Sequence, residues 1–214
     1  MIKGIIFDLD GTLLDTVGDI RNSLNYILEK YGYKTLNDSS VKQYLGNGGN
    51  ALVKKALNDP TLENDVLHSI INEYTEHYKA HNNILTKPYP NVIELLTCLK
   101  NKHIKMAITS NKIQESVTTL NQDTFLGLMD VAIGEKEGIP LKPNPKMLFI
   151  ALEKMGLKPN EVLFVGDTEV DLQTARNANL KCVAVTWGFR DKDFLASLEP
   201  DFIISNPLDI LSII

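Results

Sequence analysis

Apolar residues along this chain follow several rhythms in turn. A short continuous run, Ile5-Ile6-Phe7, stands near the N-terminus and reads as a buried strand. The period then becomes helical. Ile20, Leu24, Ile27, Leu28 and Tyr31 share one face of a helix predicted from Asp19 to Tyr31, with Gly32 as its stop. Asp38-Ser39-Ser40 are placed to cap a second short helix through Leu45, and Asn50 a third carrying Leu52, Val53, Ala56 and Leu57. A fourth helix is predicted from about Leu62 to His81, with Val66, Ile70, Ile71, Tyr74 and Tyr78 as its stripe. No strand is predicted between Asp15 and about Asn82.

After Pro88-Tyr89-Pro90 the pattern alternates. Helices are predicted over Val92–Lys100, Ile113–Leu120, Pro145–Gly156 and Asp171–Ala178. Between them lie short apolar runs that read as strands: Ile104–Ser110, Val131–Gly134, Val162–Gly166, Cys182–Thr186 and Phe202–Ser205. Strand and helix in alternation imply a parallel sheet covered on both faces. The expected architecture is an α/β core, residues 1–14 and 86–214, interrupted by a small helical block over residues 15–85. No internal repeat or low-complexity tract is present.

Composition narrows the function without naming it. The chain has 214 residues, 43% hydrophobic and 23% charged, which suits one large core with a small second domain. Its formal net charge of -5 argues against a general nucleic-acid binder, which would be basic. Cys98 and Cys182, the two cysteines, each sit in an apolar stretch and read as reduced core thiols. The apolar run after Lys3 stops at Asp8, too soon for a signal peptide, and no stretch reaches the ~20 residues of a membrane span. The expectation is a soluble cytoplasmic protein with no nucleic-acid or membrane partner; the oligomeric state is left open.

The candidate chemistry sits where predicted strands end, the edge at which open parallel sheets bind ligands. The first strand runs into Asp8-Leu9-Asp10-Gly11. Two carboxylates so close repel each other and cost desolvation unless a cation compensates. Oxygen-only ligands favour Mg²⁺ or a similar hard ion. One such acid can be a nucleophile and its neighbour a general acid and base. Thr109-Ser110-Asn111-Lys112 end a second strand, and Gly166-Asp167, with Asp171 beyond, end another. Lys142 precedes a predicted helix start. Acids, a hydroxyl and a cation on one edge suit phosphoryl transfer. Each piece has a plainer reading taken singly. Ser110 can cap a helix, Asn111-Lys112 can form a turn, Lys142 can be a solvated charge, and Asp167 or Asp171 can favour a helix macrodipole.

The motifs Asp8-Leu9-Asp10-Gly11-Thr12, Ser110 after an apolar strand, Lys142 before Pro143, and Gly166-Asp167-Thr168-Glu169-Val170-Asp171 occur in the order of the haloacid dehalogenase superfamily, which the whole chain resembles. The resemblance implies a Rossmann-like parallel sheet core with an inserted helical cap. It implies that Asp8 attacks phosphorus and forms an aspartyl-phosphate, and that Asp10 protonates the leaving alcohol and later takes a proton from water. Ser110 would bond the phosphoryl oxygens, with Thr109 as the alternative hydroxyl, and Lys142 would neutralise charge. Mg²⁺ would be held by Asp8, the backbone carbonyl of Asp10 and Asp167, with Asp171 ligating or orienting.

A second acid at Asp10 argues against dehalogenation, where a leaving halide needs no proton. β-Phosphoglucomutase-like members usually carry a histidine where this chain has Ile20, which weakens a mutase reading. The segment Tyr44–Leu52, with Gly46-Asn47-Gly48-Gly49, is similar to a cap loop of bacterial phosphoglycolate phosphatases. Pyrophosphatases and nucleotidases of the superfamily have similar loops. The resemblance therefore implies a phosphatase for a small phosphorylated metabolite, with 2-phosphoglycolate the single best candidate. Gly46, Asn47, Gly48, Thr109 and Asn111 are the expected substrate contacts, with Lys42 or Lys54 as possible helpers. A phosphate-accepting receiver domain is the non-enzymatic alternative. It lacks both the helical insertion and the Gly-Asp-x-x-x-Asp arrangement.

Overall fold

A computed structural model describes residues 1–214. Its main sheet is parallel throughout and contains β1 (Gly4–Phe7), β4 (Lys105–Ile113), β5 (Val131–Glu135), β6 (Val162–Gly166), β7 (Lys181–Val185) and β8 (Phe202–Ile204). The strand order is β5-β4-β1-β6-β7-β8. β1 lies between β4 and β6, with Phe7 beside Ile108 on one side and Val165 on the other. Strand order reverses at β1, so the residue after it opens onto the crevice where such sheets place ligands.

Period-two alternation divides the apolar side chains between two faces. Ile5, Phe7, Met106, Ile108, Leu163, Val165, Val183 and Val185 join one buried cluster. Ile6, Ala107, Val162, Phe164, Cys182 and Ala184 join the other. Helices α5 (Val92–Asn101) and α6 (Gln114–Phe125) supply residues to the first face. Helices α7 (Lys146–Met155) and α8 (Glu169–Asn177) supply the second. Cys182 is buried, and burial pushes its thiol well above the usual range, as suits a core residue.

Four helices between β1 and the rest of the sheet, α1 (Val17–Lys30), α2 (Asp38–Tyr44), α3 (Gly49–Leu57) and α4 (Asn64–His81), close around a separate apolar cluster. Ile20, Leu24, Ile27 and Leu28 of α1 meet Ile70, Ile71, Tyr74 and Tyr78 of α4 there. Val66, expected on the same stripe, lies in the first turn of α4 and is exposed. Asn37, rather than Asp38 or a serine, caps α2 by accepting from the Ser40 amide at 2.9 Å. Gly48, rather than Asn50, caps α3. No helix is long and apolar enough to cross a membrane.

Two features escaped the sequence pattern. Helix α9 (Lys192–Ser197) buries little beyond Leu195. A ribbon of β2 (Leu14–Asp15) and β3 (Lys87–Pro88) joins the chain leaving the sheet to the chain returning to it. Asp19 reinforces that junction. Its buried carboxylate accepts from the amides of Ile84, Leu85 and Thr86 and from the Thr86 hydroxyl, at 2.7–3.1 Å. On the other side of the linker, Asn82 donates to Ser116 of α6 at 2.8 Å.

Removing the Asp19 carboxylate leaves three linker amides without their acceptor. Asp19→Ala is expected to cost about 1.5–3 kcal/mol, the range for hydrogen bonds to a charged group. The urea midpoint should fall with little change in slope. A midpoint equal to that of the parent would show that the junction does not depend on this carboxylate.

Candidate active site

The site forms where four chain segments end on one edge of the sheet. Asp8 follows β1, Ser110 lies in the second half of β4, Lys142 precedes α7, and Asp167 follows β6. β4 continues past Ser110 to Ile113, with a register shift against β5 between Thr109 and Ile113. That irregularity places Ser110, Asn111 and Lys112 along the cavity wall as extended chain.

Lys142 is the hub. Its buried ammonium lies 2.6 Å from Asp8 Oδ1 and 2.7 Å from Asp171 Oδ1. Asn111 fixes its main chain, accepting from the Lys142 amide at 2.7 Å and donating to the Lys142 carbonyl at 3.0 Å. Burial pulls the lysine pKa down, but Asp171 and Asp8 outweigh it and hold the ammonium above its usual range. Burial pushes Asp8 up to about 7; Lys142 opposes the shift, and Asp171 and Asp10 add to it. Asp167 is raised by burial and by the charges of Asp171 and Asp8, against hydrogen bonds from Phe189 N and Thr12 Oγ1.

These acids suit a hard cation. Asp8, Asp167 and Asp171 each offer an oxygen within 4.8 Å of the others, all buried. Asp8 Oδ1 is held by Lys142, leaving Oδ2 without a protein donor. The Asp10 carbonyl accepts none of the main-chain hydrogen bonds among the loops. Asp171 is more fully committed. Its Oδ1 takes Lys142, and its Oδ2 takes the Thr168 amide and hydroxyl at 3.1 and 2.7 Å as the capping box of α8. That arrangement suits an orienting role better than direct ligation. Glycine is required on two sides of Asp167: a Cβ on Gly11, at φ +88°, or on Gly188 would stand 2.3 Å from its Oδ2.

The sequence-predicted residues divide into those that reach the cavity and those that do not. Asp8, Asp10, Gly46, Gly48, Ser110, Asn111, Lys142 and Asp171 line it. Thr109 does not. Strand alternation buries its side chain inside the sheet, with Oγ1 lacking a hydrogen-bond partner, which corrects its expected place as a substrate contact. Asn47 is also off the wall, because the loop presents Gly46, Gly48 and Gly49 there instead. Lys42 and Lys54 lie away from the cavity. Asn111 uses its amide to brace Lys142 and to donate to Gly46 O at 3.0 Å, leaving it a structural clamp beside the substrate space.

Two residues, one on the cavity wall and one outside it, had no role assigned from the motif order. Lys112 lies with its side chain buried, its Nζ 2.7 Å from Asp10 Oδ1 and hydrogen-bonded to the Tyr78 hydroxyl of α4. The Asp10 contact is an ion pair without hydrogen-bond geometry. Arg190 spans the two parts of the molecule. It pairs with both oxygens of Glu169 at 2.7 and 2.9 Å, and caps the end of α2 through Lys42 O at 2.7 Å and Leu45 O at 3.0 Å.

This fold and acidic edge define a class. A family model for haloacid dehalogenase-like hydrolases matches residues 5–185, and the chain belongs to that family. Its relatives are more specific. A phosphoglycolate phosphatase of Aquifex aeolicus is 34% identical over 213 residues, spanning 99% of this chain and 96% of that protein. Phosphoglycolate phosphatase 1 of Pseudomonas aeruginosa is 32% identical, spanning 97% of this chain and 78% of that protein. A crystal structure from Lactobacillus delbrueckii subsp. bulgaricus superposes with a TM-score of 0.93 at 31% identity, covering 97% of this chain and 96% of the other.

Buried acids set a pH dependence for the metal-free protein. Asp8 is raised from 3.8 to about 7, so the folded state binds its proton more tightly than the unfolded state does. Its contribution to stability is present below the unfolded pKa and is lost as pH rises through the folded one. In chelator, stability should fall by on the order of a few kcal/mol between about pH 4.5 and about pH 7.5. Asp8→Asn should flatten that slope, and Mg²⁺ should restore stability at the upper end. Stability that rises across the window in chelator would contradict this electrostatic picture.

Proposed function

We propose that the protein is a Mg²⁺-dependent phosphatase that hydrolyses 2-phosphoglycolate through an aspartyl-phosphate at Asp8. The observation that carries the reading is the buried Lys142 ammonium beside Asp8, with Asp10 in the same cavity. The two phosphoglycolate phosphatase relatives, each matched over nearly the whole of this chain, support the substrate.

Each step follows from a residue already placed. Lys142 offsets repulsion between the Asp8 carboxylate and an incoming phosphate. A bound Mg²⁺, held by Asp8, the Asp10 carbonyl and Asp167, would neutralise phosphate charge and align the phosphoryl group. Ser110, on the cavity wall with its Oγ accepting from the Lys112 amide at 3.1 Å, has its hydroxyl proton free for a phosphoryl oxygen. An Asp8 oxygen bonds to phosphorus as the ester P–O bond breaks, and Asp10 gives its proton to the departing glycolate oxygen. Asp10 then takes a proton from water as that water attacks phosphorus. The bond from phosphorus to Asp8 breaks, and inorganic phosphate leaves.

The helical block over residues 15–85 acts in this reading as a cap on a core of residues 1–14 and 86–214. Its linkers are the β2–β3 ribbon and the segment Asn82–Lys87. Closure excludes bulk water and strengthens every charge interaction inside. The cavity measures about 90 Å³ as space open to water centres. That space suits a small phosphorylated metabolite rather than a bulky one. Ile20 on its wall offers no proton acceptor for a sugar-phosphate transfer.

Hydrolysis of 2-phosphoglycolate should require Mg²⁺ and exceed that of glucose phosphates, nucleotides and pyrophosphate in kcat/KM. Asp8→Asn should abolish turnover, and acid-quenched parent enzyme should yield a peptide phosphorylated at Asp8 that the variant lacks. Asp10→Asn should slow poor leaving groups most, by about 10²–10⁴-fold, because it removes the proton donor. Full activity in Asp8→Asn would refute the covalent route. A tenfold preference for pyrophosphate or a nucleotide would overturn the substrate alone.

A further inference from the structure

We propose that Lys112 and the Tyr78 hydroxyl form the recognition site for a second, carboxylate group on the substrate, distinct from the phosphate site around Lys142. The proposal deepens the phosphatase reading and rests on it.

Two lysines line the cavity, and their surroundings differ. Lys142 is taken up by Asp8 and Asp171. The Lys112 side chain is only 4% exposed, yet its protein partners do not use up its donors. An ammonium has three N–H bonds. Tyr78 accepts one, and the Asp10 ion pair lacks the geometry of a hydrogen bond. At least one donor of a buried cation therefore stays unclaimed, which is costly unless a ligand takes it. Tyr78 accepts from Lys112 and gives its own hydroxyl proton to no protein acceptor. An N–H and an O–H thus stand side by side on one wall. A carboxylate, with two oxygens at fixed spacing, can accept both.

The surroundings select for size. Gly48 approaches the same wall with φ +82°, and a Cβ there would meet Asn111 O at 3.3 Å and Leu141 Cδ1 at 3.4 Å. Tyr74 stacks beside Tyr78 with ring centroids 5.9 Å apart and closes the far side. A short acid fits this space, and one cation with one hydroxyl suits a monoanion better than a second phosphate. Because Lys112 belongs to β4 and Tyr78 to α4, the carboxylate would also bind both sides of the closed molecule.

The experiment compares inhibitors that differ in one group. These are 3-phosphonopropionate, its neutral amide and methylenediphosphonate. Inhibition constants are read against Mg²⁺-dependent hydrolysis of an aryl phosphate, and binding is read separately by thermal shift. The parent should bind the acid about 30-fold more tightly than the amide, as expected for a buried charge-assisted contact. Lys112→Met should bring that ratio close to one whatever loss the two ligands share, and Lys112→Arg should keep most of it. Tyr78→Phe should lower the ratio less than Lys112→Met. A parent ratio near one, or a ratio that survives in Lys112→Met, overturns the proposal. A Lys112-dependent preference for methylenediphosphonate also overturns it, by making the second group a phosphoryl. Failure to hydrolyse any phosphate ester would refute the phosphatase reading instead, and the thermal shifts would still decide the role of Lys112.

Discussion

One buried ammonium holds the chemistry of this molecule together. Lys142 joins Asp8, 134 residues away in sequence, to Asp171. Neither acid could stay charged at such depth without a counter-charge, and neither could the lysine. Removing one partner of such a buried group is far more damaging than its net worth to stability suggests. The fold spends other interactions to keep it in place. Asn111 grips the Lys142 backbone from both sides, and Thr168 orients Asp171. The ends of β1, β4 and β6 therefore meet at a charge arrangement that is satisfied only when all three are in register.

The parallel sheet makes this convergence possible. Its strands run the same way, so their carboxyl ends open on one edge, and alternation sends apolar neighbours to two separate cores. The helical block contributes little charge to that edge. It supplies shape through Gly46 and Gly48 and a hydroxyl through Tyr78. The sheet edge and the helical block thus meet in one small space.

What the sequence disclosed depended on how local each signal was. Asp8 and Asp10 stand out because carboxylates interrupt an apolar run, and Gly166-Asp167 stands out for the same reason. The parallel sheet and the four-helix block were legible because burial repeats with a fixed period. Lys112 was not, because an Asn-Lys pair looks like a solvated turn until a distant helix brings Tyr78 to it. Tyr78 itself read only as part of an apolar stripe. Thr109 and Ser110 are both hydroxyls, and the strand's pleat decides which of them faces the cavity. The β2–β3 ribbon has two residues a side, too few for any period to register. Arg190 acts through carbonyls of a helix end whose position no local pattern encodes.

The Asp19 junction has a topological consequence. One carboxylate on the outgoing chain gathers three amides of the returning chain, beside a ribbon that pairs Asp15 with Lys87. The excursion between them begins and finishes at nearly the same point. Its length therefore imposes no stretch on the sheet, since the cost of closing a loop grows only slowly with the number of residues in it. Such a junction works like a socket. An insert of another size or shape, hung from the same pair of strands, would leave the acidic edge beneath as it is.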